Sequence, residues 1–230
     1  MVRGRPRSTV SRGTLRLFVT GGTGVLGRAL RPVAEAAGHE LEMPGHDELD
    51  LFDPSAVADA VQGADGVLHL ATRIRPVELL SDPDAWREND RLRSDASRIL
   101  VDAAVAADVD VYVQPTVAFV YPADGPVSEE TPVGDVSPLL RSALVAEEQA
   151  ERFTRAGGRG VVLRMGLLDG PGTDEYPPLD DFGATLHVSD AGNALLAALS
   201  LPGGIYNVCR NGERVSVDRF SSAAGWQAQL

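Results

Sequence analysis

The 230-residue chain contains no lysine; all 21 of its basic residues are arginine. That absence removes every chemistry that needs a lysine ammonium, including Schiff bases with carbonyl substrates, the lysine of a phosphate-binding P-loop and a lysine partner for a catalytic tyrosine. Cysteine is nearly absent too. Cys209 is the single example, which excludes a disulfide framework and a thiolate metal cluster and fits a reducing cytoplasm. No metal site is expected. No apolar run reaches the length of a membrane span. The first residues, MVRGRPRSTVSRGT, bring Arg3, Arg5, Arg7 and Arg12 but no apolar stretch after them, so neither a secretory leader nor a twin-arginine address is expected. Residues 1–13 read as a flexible basic tail. Net charge is −12. An acidic body repels phosphate backbones, so nucleic acid is not an expected partner, and neither is a membrane.

Hydrophobic residues make up 43% of the chain, enough for one sizeable core. Short apolar runs at 15–20, 39–43, 48–53, 66–72, 110–119 and 160–165 read as strands. Between them lie helical patterns at 25–38, 54–63, 85–106 and 137–158. Pro54 and Pro138 stand at helix starts, Ser137 reads as a cap, and Pro32 predicts an irregularity inside the first helix. Strands alternating with helices at this spacing predict an α/β fold, doubly wound around a mostly parallel sheet. A Rossmann domain over 14–170 is expected, with a small C-terminal lobe over 171–230 on the substrate side.

Gly21, Gly24 and Gly27 are spaced Gly-x-x-Gly-x-x-Gly, directly after the first strand and at the head of the first helix. A tight turn there needs positive φ, a pyrophosphate leaves no room for a Cβ, and the helix N-terminus offers free N–H groups. In this context the pattern points to a dinucleotide.

The segment TGGTGVLG resembles the fingerprint of the extended short-chain dehydrogenases/reductases, the group of NAD-dependent epimerases and dehydratases. Further matches follow in order. Asp50-Leu51 resembles the pair that contacts adenine, and HLAT (69–72) the strand end behind the cofactor ribose. LRMGLLDGPG (163–172) resembles the strand and turn near the nicotinamide. LHVSDAGNALLAAL with GGIYNV resembles the C-terminal His-x-x-Asp helix and Tyr-Asn strand, where His187 and Asp190 would cap and orient the helix. The resemblance implies NAD or NADP as cofactor, held by Gly21, Thr23, Gly24, Val25, Leu26, Gly27, Asp50, Leu51, Leu70, Ala71, Thr72 and Met165. It also implies a homodimer through the helices at 85–106 and 138–157. At the end of the second strand the residue that would separate NAD from NADP falls on Gly45. His46 and Asp47 follow it, either as adenine and ribose contacts or as a surface loop.

The same resemblance exposes a departure. The family's Tyr-x-x-x-Lys pair falls on Leu139 and Ala143, and Arg141 points to another helix face. An unassisted phenol, with a pKa of about 10, is a poor base near neutrality. Candidate catalytic residues are therefore Thr116, Tyr121 and Tyr176. Thr116 stands near the family's Ser/Thr position and reads equally as a ligand-binding hydroxyl or a β-branched strand end. Tyr121 matches a tyrosine that is usually structural. Between the Gly-Pro-Gly turn and His187 lie four acids, Asp174, Glu175, Asp180 and Asp181. They disfavour a nucleotide-sugar and suggest a small uncharged or cationic substrate. The expected function is an NAD(P)-binding, short-chain-reductase-like enzyme of small-molecule (secondary) metabolism working without Tyr-Lys. Its chemistry would be either redox or an isomerase, dehydratase or cyclase reaction. The alternatives are a non-catalytic NAD(P) sensor and a decayed paralogue with a scaffold role.

Overall fold

A computed structural model describes residues 13–79, 82–122, 124–173, 183–210 and 214–230. Tyr176 and the acids at 174, 175, 180 and 181 lie outside the described residues, as does nearly all of the basic N-terminal segment.

The central sheet has six strands, β1 (Arg16–Thr20), β2 (Glu40–Glu42), β3 (Gly66–His69), β4 (Val111–Val117), β5 (Arg159–Met165) and β8 (Gly204–Val208), in the order β2-β1-β3-β4-β5-β8. Every pairing is parallel. Helices therefore cover both faces, and the inner strands are buried nearly end to end, as two-sided burial requires. On one face, α1 (Val25–Ala36) and α6 (Val188–Ala198) pack Leu30, Ala34, Ala194 and Leu195 onto Val19, Val113 and Leu163. On the other, α2 (Pro54–Ala60), α4 (Ser97–Ala106) and α5 (Arg141–Arg155) pack Val57, Leu100 and Phe153 onto Phe18, Val67 and Tyr112. A short parallel pair, β6 (Leu167–Asp169) with β7 (Thr185–His187), stands beside the sheet, and α7 (Asp218–Ala224) closes its β8 edge. Among the described residues no helix is long and apolar enough to cross a membrane.

The chain leaves β1 toward β2 on one side and returns to β3 on the other, which opens a crevice at the C-terminal ends of β1 and β3. Three local expectations change. Residues 48–53 form turns instead of a strand. Their acids bond their own backbone: Glu48 Oε2 accepts from Gly45 N–H at 2.7 Å and Asp50 Oδ1 from Phe52 N–H at 2.9 Å. Leu49 and Leu51 drop onto the core below, so local hydrogen bonds displace a ladder and β2 is left as the sheet edge. Ser137 does not cap its helix; Pro138–Leu140 forms a 3₁₀ turn closed by Leu140 N–H to Ser137 C=O at 2.8 Å, and α5 starts only at Arg141. The long helix at 85–106 is interrupted: α3 (Pro83–Arg91) passes through a π-turn, Leu92–Ala96, into α4. α1 runs through Pro32 as a single helix.

Candidate active site

A cavity of about 1370 Å³ fills the crevice. One end is made by the glycine turn. Gly21 adopts φ +73°, and a Cβ there would lie 2.6 Å from Ala71 N, so both conformation and close packing against the end of β3 demand glycine. Gly27 plays a different part. It does not line the cavity; a Cβ would lie 2.5 Å from Gly21 O, so its absence lets α1 seat against the turn. α1 begins at Gly24 with no side-chain cap and no acid in its first turn. Its first N–H groups and the positive end of its dipole are therefore open to an anion.

Of the residues expected at the cofactor, Gly21, Thr23, Gly24, Val25, Leu26, Asp50, Leu51, Leu70, Ala71, Thr72 and Met165 all line this one cavity. His46 lines it as well, paired at 3.0 Å with Asp47, and both are almost fully exposed. The far wall brings in Thr116, Ser137, Leu139 and Leu140.

Thr116 is 3% exposed, and its hydroxyl donates to Glu147 Oε1 at 2.9 Å. Glu147 is held in turn by both arms of Arg164, at 2.9 and 2.6 Å. Burial alone would lower the Arg164 pKa, but the hydrogen bonds and charge of Glu147 outweigh it and raise it. Arg164 also lies over the Tyr121 ring, 4.8 Å from its centroid. The Tyr121 hydroxyl donates to Asn207 Oδ1 at 2.8 Å. Tyr121 does not line the cavity, and burial raises its pKa. The network thus ties α5, β5 and β8 together behind the site, and Thr116 alone of its members faces the cavity.

His69, at the end of β3, makes a second buried link. The Leu92 carbonyl can only accept, so Nε2 carries the proton and donates to it at 2.9 Å, while Nδ1 accepts from the Thr20 hydroxyl at 2.7 Å. Burial depresses the imidazole to about 4; the Leu92 bond opposes this and the nearby Arg93 charge adds to it. A neutral imidazole therefore fastens the π-turn to the sheet beside the cavity.

Residues 17–181 match the NAD dependent epimerase/dehydratase family. The chain belongs to that family. It is 32% identical over 222 residues to a 3-diazoavenalumate denitrifying reductase from a Streptomyces species, covering 80% of this chain and 72% of the relative. A 2-alkyl-3-oxoalkanoate reductase from Stenotrophomonas maltophilia (strain K279a) is 29% identical over 188 residues, covering 71% of this chain and 54% of that protein. The fold is shared with RMD from Pseudomonas aeruginosa complexed with NADPH, at TM-score 0.78 and 23% identity over 94% of each chain. It is shared also with MoeE5 in complex with UDP-glucuronic acid and NAD, at TM-score 0.75 and 20% identity over 94% of each chain.

Leu139 and Ala143, which the resemblance sets at the family's Tyr and Lys positions, are both apolar. Leu139 lines the cavity half-buried; Ala143 is fully buried and does not line it. His187 caps α6, accepting from Ser189 N–H at 3.2 Å, and Asp190 accepts from the backbone N–H groups of Gln229 and Leu230, each at 3.0 Å. Both are thereby occupied in structure, as the resemblance implies. Among the described residues no group of three His, Cys, Asp or Glu side chains is placed to hold a metal.

Among the cavity residues that sequence reading missed are Arg93 and Trp86. A signal for Arg93 existed. It lies seven residues after Trp86 and seven before Leu100, two helical turns from each, and both of those are buried. That register puts a charge on the inward face of the helix.

Proposed function

We propose that this family member is an NAD(P)-dependent reductase of a small molecule that works without a Tyr-Lys pair. One observation carries the reading: the glycine cradle, the uncapped start of α1 and the residues expected at adenine, ribose and nicotinamide all face a single cavity, which continues past them to Thr116 and Leu139. At about 1370 Å³ the space exceeds the roughly 300–1,000 Å³ of a common ligand pocket. It therefore suits a dinucleotide with a second molecule beside it. Both curated relatives are reductases whose names denote organic acid anions, which supports reduction over epimerisation of a nucleotide-sugar.

A nicotinamide dinucleotide supplies the hydride when bound. The chain's own residues then have defined tasks. The backbone of Gly21–Leu26 and the α1 dipole hold the pyrophosphate, and Asp50 and Leu51 bound the adenine side. Met165 and Leu139 give the reacting end apolar walls. Thr116 has committed its proton to Glu147, so toward a ligand its oxygen accepts. With an aliphatic side chain in the tyrosine slot, no phenol among the described residues lines the cavity to protonate a product, and the proton comes from water. Such a site suits an electrophile that accepts hydride before any proton arrives. We extend the reading to a cytoplasmic homodimer formed through the helical spans 85–106 and 138–157, with a role in secondary metabolism.

Calorimetric titration with NAD⁺, NADH, NADP⁺ and NADPH tests the proposal, followed by oxidation of the preferred reduced form in the presence of 3-oxo acids. Binding and turnover of one form are expected. No binding by any of the four sinks the reading. The buried Ala143 and aliphatic Leu139 favour one competitor, a dinucleotide sensor, which tight binding without turnover would establish.

A further inference from the structure

Arg93 sits in the π-turn, 6% exposed, yet it lines the cavity. Among the described residues its Nε has no hydrogen-bond partner and its guanidinium has no carboxylate within 4.0 Å. Burial lowers its pKa, and the charge of Asp90, one turn earlier, opposes this from beyond ion-pair distance. Asp90 does not line the cavity. A buried guanidinium left without a partner is strongly destabilising. Folds keep such a group where a ligand completes it.

The surroundings show that the position is built. The π-turn inserts a residue into the helix, with Ser97 N–H bonded to Leu92 C=O, and Ser97 Oγ donating to Arg93 C=O at 2.7 Å. His69 holds the same Leu92 carbonyl from β3. π-turns of this kind recur at functional sites. Asn89 Nδ2 and Asp90 Oδ1, on the adjoining turn, are also buried without partners, but neither residue lines the cavity, which leaves Arg93, among the described residues, as the unpartnered group on its wall. The π-turn packs against α5, whose leading turn supplies Leu139 and Leu140 to the cavity. Arg93 thus lines the same cavity as Leu139, the residue in the tyrosine slot, whereas the phosphate cradle is made by backbone at Gly21–Leu26.

We infer that Arg93 is the substrate-anchoring residue of the cavity and that the substrate carries a carboxylate, which the guanidinium fork takes in bidentate fashion. This rests on the reading of the cavity as a joint cofactor and substrate site. One planar cation balances one carboxylate charge. A phosphate dianion is better matched by two cations, and Arg73, a second arginine on the cavity, is already paired with Glu88 at 3.5 Å. The acids of 174–181 had suggested an uncharged or cationic substrate; a buried arginine in the cavity wall points instead to an anionic one.

The test uses the full chain, with and without its dinucleotide, and the probes octanoate, 3-oxooctanoate and benzoate, each paired with its uncharged amide. Binding is measured by calorimetry on the wild type, Arg93→Met and Arg93→Gln. At least one acid is expected to bind the wild type roughly thirtyfold or more tightly than its amide, and both variants to erase that preference while leaving amide and dinucleotide affinities within about threefold. Melting temperature gives a second readout. Arg93→Met, which removes an uncompensated buried charge, is expected to melt higher than the wild type without ligand and to gain nothing from the acids. The inference is overturned if no acid is preferred over its amide, if the preference survives both variants, or if the variants weaken the dinucleotide and spare the acids. Failure of all four dinucleotides to bind, with an Arg93-dependent acid preference intact, would instead remove the reductase reading and leave the carboxylate site standing.

Discussion

Replacing His69 with glutamine and unfolding both proteins in urea at a series of pH values isolates the energetic weight of one buried imidazole. His69 is 1% exposed, so its pKa near 4 against 6.5 for the unfolded chain translates to stability with little discount for solvent. The difference amounts to about 3 kcal/mol. The folded-state pKa is depressed, so the stabilisation is fully present above pH 6.5 and is lost as pH falls to about 4. Inside that window the unfolded chain takes a proton that the native state refuses, and stability falls by about 1.4 kcal/mol per pH unit from this group alone. The structural cause is specific. A second proton on the ring would fall on Nδ1, which accepts from Thr20, in a site that already faces the Arg93 charge. Carboxylates titrate in part of the same range, which is why the comparison with His69→Gln is needed: they contribute equally to both proteins and cancel in the difference. Between about pH 7 and about pH 4 the wild type should lose roughly 3 kcal/mol more than the variant. Parallel stability profiles for the two proteins would refute the reasoning and show that His69 is protonated at ordinary cost in the folded state.

Gly21→Ala combines positive φ with a Cβ 2.6 Å from the Ala71 backbone. It should destabilise by about 1–3 kcal/mol and abolish calorimetric binding of dinucleotide. Glu147→Gln removes the charge that balances Arg164 in a pair whose side chains are 4% and 8% exposed; a loss of about 3–5 kcal/mol in urea unfolding is expected, and a loss under about 1 kcal/mol would mean that water reaches the pair. Gly192→Ala would place a Cβ 2.5 Å from Ala29 O, where α6 crosses α1. It should cost about 1–3 kcal/mol, read as a melting temperature lower by roughly 2–12 °C, without changing which dinucleotide binds.

How much of this was legible beforehand depends on the range over which each signal acts. The sheet was readable because buried parallel strands are short apolar runs, and LRLFVT, GVLHLAT and GVVLRM each became one. The segment at 48–53 has the same look, but Glu48 and Asp50 can bond their own backbone, and that local competition left a loop. Ser137 has the chemistry of a cap, yet the 3₁₀ turn at Pro138 turned it to the cavity wall instead. Tyr121 stood out as a titratable group at a family position; only packing showed that Asn207 and Arg164 enclose it away from the cavity.

Taken by itself, the sequence determined what covalent chemistry and local geometry settle: no lysine for a Tyr-Lys pair, a glycine turn that only a close backbone approach requires, and strands alternating with helices in a parallel sheet. Tertiary structure decided what depends on neighbours distant in the chain. His69 is neutral because β3 is buried against the π-turn, Thr116 has its proton committed because α5 brings Glu147 to it, and Arg93 is an unpaired cation because the fold places its guanidinium in the cavity wall with no carboxylate in reach. Charge state and hydrogen-bond partnership are properties of an environment, and that environment exists only once the chain has closed around it.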